Sequence, residues 1–558
     1  MEATGEREPP LRGHRLGVRG LVWLSVALAV VLPRGGLTGN PDCDVWNHAW
    51  GYWWVAHALS HGQLPWATKL LSAPEGGVLW FIDPAGAMAA TPITLLFGPH
   101  VAFEAVLVAE VALAGFFAQR LAEAIFGGGF PGWVAGVACA TAPGLICEIQ
   151  NGISEVTAIW WIPATLLAAE RAVRGDPGGW RRLGVWLGCA SFAALYYGLI
   201  LWILVLLLWL ARSRSVRGLA LAAAFALPPT ALGLFALRAS LVAPGALITR
   251  STGLNRELAE HNAVDPRVYV TPGSFATVDL ARRYGESFRH TGYLRWSLIL
   301  PAALAVWRDP RRAGLWAGLA GASLLLGLGP QLWFRGHWVV AGSGPVLLPF
   351  GVLQHLVPEL GITHPLRLSV PGQVLVAVLA AAGLRGAARG IAWAIGGAAI
   401  AEGLFGSLGR WPIPESPAAV PPLYTDIQSS PDMRAVLDLP AEAGTTMATS
   451  RYFWFQTVSG RAVPYGPHAR ANATGDPISF AFLPNPRSGT DPGALDAAAI
   501  DHLRSVYGWI VLHPELARPG DSLSALSARL EAAFGPPTLH GALPVWTLPA
   551  PAADFAGH

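Results

Sequence analysis

The chain has 558 residues, of which 53% are hydrophobic and 13% charged, with a formal net charge of +3. Soluble proteins carry about 25% charged residues, so an ordinary soluble enzyme is excluded. The composition points to a polytopic membrane protein with spans of about 20 apolar residues, and no nucleic-acid partner is expected.

In chain order, the first apolar core, Leu21 to Leu32, ends in Pro33-Arg34 with no small-residue cleavage site. It reads as a retained first span rather than a signal peptide. The stretch Asn40 to His61, NPDCDVWNHAWGYWWVAHALSH, follows. Trp46, Trp50, Trp53, Trp54 and His57 recur at three- and four-residue steps, one face of a helix from Val45 onward. Trp favours the membrane–water boundary, so the helix is expected to lie flat on the bilayer, with Asp42 and Asp44 at its start. Asp44 also suits a helix N-cap.

Hydropathy gives about eleven spans in all. They fall near 16–33, 100–119, 130–147, 153–170, 182–197, 198–211, 218–238, 293–307, 313–329, 367–384 and 390–408. Residues 85–97 are apolar but short, which suits a re-entrant or interfacial segment. The arginines set the orientation: with the N-terminus in the cytoplasm, the groups around Arg12, Arg171, Arg212, Arg308 and Arg385 all fall inside. This requires 182–211 to cross twice, with Tyr196-Tyr197-Gly198 as an outer turn. The outer pieces are then loops 34–99, 148–154, 239–292 and 330–366. After residue 410 the pattern turns soluble. Helices at Asp496–Tyr507 and Ser522–Phe534 and strands at Trp509–Leu512 and Pro544–Leu548 suggest a small α/β domain, 411–558, outside the membrane. No P-loop and no G-x-G-x-x-G is present.

Acids gather in two outer loops: Asp42 and Asp44 in the first, Glu148 and Glu155 around the second. A carboxylate near hydrocarbon is costly and marks a functional candidate. Basic candidates are Lys69 (the one lysine of the chain), and His364 and Arg367, three apart at the mouth of a span. Arg282, Arg283, Arg289 and His290 in the third loop read as a solvated surface or a headgroup contact. His57 and His61 are four apart, a spacing that suits a metal or a wetted polar stripe.

This layout resembles the GT-C superfamily of membrane glycosyltransferases. Its members place an essential Asp just after the first span, a second acid in the next outer loop, and often a soluble domain at the outer C-terminus. Asp44 in PDCDVWNHAW matches the first acid best, with Asp42 next; Glu155 or Glu148 matches the second. GQLPWATKLLSAPEGG resembles the G-x-x-P and P-x-G tail of that loop. The second acidic position has no clear D-x-D pair, which leaves the use of a divalent metal (Mg or Mn) open, with Asp44, Glu155 and Glu148 as candidate ligands.

The resemblance implies a mainly α, GT-C-like bundle, 1–410, in the inner membrane of a bacterial envelope. It also implies transfer of a sugar from a polyprenyl-phosphate donor to a glycan, lipid or protein acceptor. Such chemistry needs a carboxylate base, here Asp44, and positive charge for the departing phosphate. Lys69, His364 and Arg367 are the candidates for that charge, and Trp50 and Trp54 for further substrate contact. A lipid or polysaccharide transporter is the first alternative, kept open by Glu104 and Glu110 inside a span; a non-catalytic scaffold is the second. Cys43 beside Asp44 and Cys147 beside Glu148 leave two readings open: a disulfide joining the acidic loops, or Cys147 as a small apolar residue buried in its span.

Overall fold

The computed structural model describes residues 13–79, 83–127, 130–242, 252–273, 288–357, 361–440, 448–466, 495–517 and 523–550. Each expected span has a helical counterpart. The helices are α1 (Gly13–Val31), α2 (Val45–Ser60), α3 (Pro84–Phe126), α4 (Phe130–Ala140), α5 (Pro143–Asn151), α6 (Ser154–Thr157), α7 (Trp161–Val173), α8 (Gly179–Ala193), α9 (Leu195–Arg212), α10 (Val216–Val242) and α11 (Thr252–His261). After them come α12 (Trp296–Arg308), α13 (Arg312–Gly327), α14 (Pro349–Leu356), α15 (Val370–Gly383) and α16 (Arg389–Phe405). Among the described residues, five helical stretches are long and apolar enough to cross a membrane: Pro84–Phe126, Pro131–Asn151, Leu195–Arg212, Val216–Ser240 and Pro365–Gly383.

Residues 85–97 form the first part of α3, which bends at Gly98, with φ of 86°, just ahead of Pro99. Trp23 of α1 wedges between two glycines: a Cβ at Gly115 or at Gly136 would stand 2.3 Å from its ring. Its indole N–H donates to Gln119 at 3.0 Å, so the burial leaves no unpaired donor.

The arginines collect at one end of the bundle. Arg19 pairs with Glu123 at 2.9 Å, and Arg174 and Arg212 both pair with the buried Glu170. Arg312 lies over the ring of Phe126, and Arg308 donates to the Gly383 carbonyl. α8 and α9 break at Ala194 and return to this same end, because α8 starts just after α7 while Arg212 at the end of α9 reaches Glu170. The chain therefore runs out along α8 and back along α9, the course that two crossings of 182–211 require, with Tyr196 and Tyr197 at the far end; of the two, α9 is long and apolar enough to cross a membrane.

The Trp-rich helix is not where its periodicity puts it. Trp46, Trp50 and Trp54 are buried, and their indole N–H groups donate to Pro41, Gln456 and Pro65. The cover comes from the C-terminal part of the chain. There α17 (Leu423–Ser429) and α18 (Ala448–Ser459) lead to α19 (Ala497–Val506) and α20 (Leu523–Phe534). Phe453 of α18 packs on Trp50 at 5.8 Å, and Tyr52 sits edge-on to Phe103 of α3. α2 is thus a core helix between α3 and α18. Strand β1 (Leu37–Thr38) joins the two regions again, because its partner is Glu415–Ser416.

The other short hairpins, in chain order, are β2 (Ala67–Thr68) with β3 (Gly77–Val78), β4 (Trp333–Phe334) with β5 (His337–Trp338), and β6 (Val340–Ala341) with β7 (Gly344–Pro345). The strand that pairs β1 is β8, and the four-stranded C-terminal sheet holds β9 (Ala435–Leu439), β10 (Tyr507–Leu512), β11 (Thr538–His540) and β12 (Leu543–Thr547). Its order is β11-β12-β10-β9, with β9 parallel to β10 and the other pairs antiparallel. Both strands and both helices expected of this tail are present.

His513 closes the end of β10. Nε2 lies 3.1 Å from Asp438 and 2.9 Å from the Tyr424 hydroxyl, and Nδ1 lies 2.9 Å from Glu515. Burial alone lowers the basicity of the ring, but Asp438 and Glu515 outweigh it and hold His513 above the ordinary histidine value. A raised histidine stabilises the fold fully below its unfolded value, and the gain is lost as pH rises through the folded one. The protection factors of the β9 and β10 amides, taken relative to the base-catalysed intrinsic exchange rate, are therefore expected to fall as pH rises past the usual histidine range. His513→Gln should remove this dependence.

Candidate active site

Asp44 sits at the N-cap position of α2, but its side chain makes no capping hydrogen bond. Its Oδ1 instead accepts from Asn47 at 3.2 Å, and the carboxylate is 7% exposed. The backbone of this turn is docked on the end of α5: Asp44 N–H donates to Asn151 at 3.0 Å, and Asn40 N–H to Gln150 at 2.7 Å. Gly152 makes this approach possible. It has φ of +72°, and a Cβ there would lie 2.5 Å from Val45 Cα.

The second-loop acids are held by different partners. Glu148 Oε1 pairs with His290 Nδ1 at 2.8 Å, and Oε2 accepts from Asn151 at 3.2 Å. Glu155 lies on the short turn α6, accepts from the Tyr196 hydroxyl at 3.2 Å, and is 6% exposed. It is close enough to Asp44 and Arg367 to interact with both electrostatically. The acids of the first two outer loops thus converge.

Beside them lies a cavity with about 710 Å³ of empty space, part of it open to the surroundings. Its polar lining includes Glu148, Asn262, His290, Arg295, His364, Arg367 and Gln373, and its apolar wall includes Leu145, Val156 and Val374. Arg367 stacks over the Tyr196 ring at 5.2 Å, and among the described residues its Nε has no hydrogen-bond partner. His364 lies against His290, with ring centres 5.2 Å apart. Arg295 is 3% exposed and donates to the carbonyls of Ala138 and Ala399, which ties α4 to α16.

The expected residues divide accordingly. Glu148, His364 and Arg367 line the cavity; Asp44 and Glu155 stand outside its lining, with Glu155 in electrostatic reach of both Asp44 and Arg367. Asp42 and Lys69 are exposed and do not line the cavity. Trp50 and Trp54 stack on each other at 6.0 Å inside the core, so the substrate contact expected of them is not made: α18 covers the face that periodicity alone leaves open. Cys43 and Cys147 are buried free thiols, so no disulfide joins the loops; the backbone contacts through Asn151 do so instead. Arg282 and Arg283, and Arg12 of the first basic group, lie outside the described residues.

Four participants escape the sequence reading. His290 reads there as a surface residue, and Tyr196 and Tyr197 only as a turn; the fourth is His48. The signal available for the tyrosines is a polar hydroxyl pair at the end of a span, which needs buried partners.

The donor sets do not fit a divalent cation. Among the described residues no three His, Cys, Asp or Glu side chains gather around one point, and both oxygens of Glu148 are taken. The rings of His57 and His61 are tilted against each other with centres 4.4 Å apart, among the described residues no third ligand joins them, and burial followed by the His61 charge holds His57 below its ordinary value. No step is assigned to a metal.

The helical bundle, with its two acidic loops meeting beside a cavity, has a fold found in solved structures of membrane glycosyltransferases. No family model matches the chain, and no curated protein matches its sequence. Solved structures do match. The arabinofuranosyltransferase AftD from mycobacteria is 15% identical with a TM-score of 0.62, over 97% of this chain and 40% of that one. ArnT from Cupriavidus metallidurans in the apo state is 12% identical with a TM-score of 0.54, over 96% of this chain and 97% of that one. The Archaeoglobus fulgidus oligosaccharyltransferase tethered to an acceptor peptide is 12% identical with a TM-score of 0.50, over 90% of this chain and 69% of that one. The chain therefore spans less than half the length of the arabinofuranosyltransferase. At these identities the likeness is one of fold.

The loop contact makes a test of the site. Gly152→Ala places a methyl group against the Val45 backbone and adds strain of about 1 kcal/mol from the left-handed φ alone. In a chain of 558 residues each kcal/mol lowers the melting temperature by about 1 °C, so strain and clash together should lower it by about a degree or more in nanodiscs. An unchanged melting temperature would show that the two loops are not in contact as described.

Proposed function

We propose that the protein is a membrane glycosyltransferase that moves a sugar from a polyprenyl-phosphate donor to an acceptor hydroxyl on the outer face of a bacterial inner membrane. The observation that carries this reading is the meeting of Asp44, Glu148 and Glu155 beside a cavity lined by Arg367, His364 and His290. In the reaction, the acceptor oxygen attacks the anomeric carbon and the bond from that carbon to the phosphate oxygen breaks. Asp44 takes the hydroxyl proton, and Arg367 with His364 meets the charge left on the polyprenyl phosphate. A guanidinium suits a phosphate because its planar donors match two oxygens at once. Hexose and pentose donors, and glycan, lipid or protein acceptors, all remain within the proposal.

The N-terminus and the arginine end would then face the cytoplasm, and the site and the 411–558 region the outside. That region would be an outer domain resting on the first loop, where acceptor recognition is its proposed role. Membrane lipid surrounds the bundle in this reading.

The transport alternative rested on two acids inside a span. Glu104 accepts from the Thr38 N–H at 2.6 Å and its hydroxyl at 2.7 Å, and Glu110 accepts from Thr157. Both tie loops to α3, and neither lines the cavity. These contacts favour the transferase reading.

The test is transfer from a labelled polyprenyl-phosphate sugar by the purified protein in nanodiscs. Asp44→Asn should lower kcat by about 10²-fold or more while donor binding persists, since a lost general base costs roughly 10²–10⁴. Arg367→Gln should raise the donor KM instead. Equal loss of donor binding in both variants would contradict the division of roles.

A further inference from the structure

His48 lies one turn after Asp44 on α2 and is fully buried. Its backbone N–H donates to the Asp44 carbonyl at 3.1 Å, as the helix requires. Its ring crosses to the other acidic loop. Nδ1 lies 2.9 Å from Ser154 Oγ and accepts from the Ser154 backbone N–H at 3.2 Å. Glu155 Oε2 is 3.6 Å from the same nitrogen. The Ser154 amide donates to Nδ1, so this nitrogen is the acceptor and holds the backbone from which the Glu155 side chain starts. Ser154 is also the point where the first loop makes a second contact, because its hydroxyl reaches Asp83. Asp83 in turn caps α3 through Gly86 at 3.0 Å and accepts from Tyr52 of α2 at 2.6 Å.

We propose that His48 is a positioning residue: through Nδ1 it fixes the Ser154–Glu155 turn, and so sets the Glu155 carboxylate relative to Asp44 and Arg367. The inference rests on the transferase reading and adds a residue to it. α2 then does two things at once. Its first residue follows the Asp44 carboxylate, and one turn later it holds the opposing acid. A misplacement of about 1 Å at a reacting group costs on the order of 10²-fold in rate, so a contact of this kind acts on kcat.

The test compares three substitutions in the full chain in nanodiscs. In His48→Asn the amide oxygen falls near the Nδ1 position and can still accept the Ser154 N–H. In His48→Gln the amide falls near Nε2 and cannot, although Gln is closer to His in volume. His48→Leu removes both. The expected kcat order is wild type, then Asn, then Gln, with Leu down by about 10²-fold and the donor KM unchanged throughout. If Gln equals or exceeds Asn, His48 only fills space and the proposal is wrong; the Asn and Gln pair decides this even if the Leu variant does not fold. A wild-type protein that transfers no sugar from any donor overturns the transferase reading instead. His48 is then judged by the structure of His48→Gln, where the Ser154–Glu155 turn should move away from α2; an unmoved turn overturns the proposal.

Discussion

The close approach of α2 to the Asn151–Gly152 corner is the contact on which the candidate site depends. Two backbone hydrogen bonds, from Asn40 to Gln150 and from Asp44 to Asn151, hold the first loop on the end of α5. The contact works because residue 152 has no Cβ and adopts a positive φ. Asp44 then stands near Glu155, while Glu148, one turn before the corner, faces His290. Without this docking the acids of the two loops would belong to separate, wetted surfaces, and neither would have a cavity beside it.

The rest of the fold serves to keep that corner in place. α2 is held from behind by α18, where Gln456 accepts from Trp50 and donates to the Leu70 and Arg461 carbonyls. It is held from below by α3, through Tyr52 and Asp83. Burial followed by hydrogen bonds from Tyr52, Ser154 and Gly86 acts on Asp83 in opposite senses, and burial prevails, so its carboxyl is held above the ordinary aspartate value. Removing the α18 cover would expose Trp46 and Trp50, which meet Arg451 and Phe453 of that helix, at about 1.5–3 kcal/mol for each large apolar side chain. The C-terminal region thus stabilises the first loop whatever else it recognises.

Much of the bundle is legible in the sequence because its signals are local. Apolar length gives the spans, and the arginines gathered at one end set how the helices run, including the out-and-back course through Tyr196-Tyr197. The motif around Asp44 and the basic pair His364 and Arg367 are legible for the same reason: residue type and position relative to a span are enough. The errors have a common cause. Periodicity shows that one face of α2 is apolar, but it cannot show that α18, some four hundred residues later, covers it. A lone histidine such as His290 looks like any loop residue until Glu148 is brought to 2.8 Å. His48 stands on the face of α2 opposite the tryptophan stripe, where a lone histidine carries no signal of its own. Strand β9 has no counterpart in the sequence reading, because a five-residue parallel strand bounded by prolines carries little alternation of its own.

The central claim is that the cavity beside the three acids receives the phosphate of a polyprenyl-phosphate lipid. The most direct measurement is a cryo-EM structure of the protein in nanodiscs with polyprenyl phosphate added. The account predicts density for the phosphate at the Arg367 guanidinium and His364, with Asp44 and Glu155 facing the space where the sugar would sit. Phosphate density elsewhere, with the cavity empty or filled by protein, would contradict it.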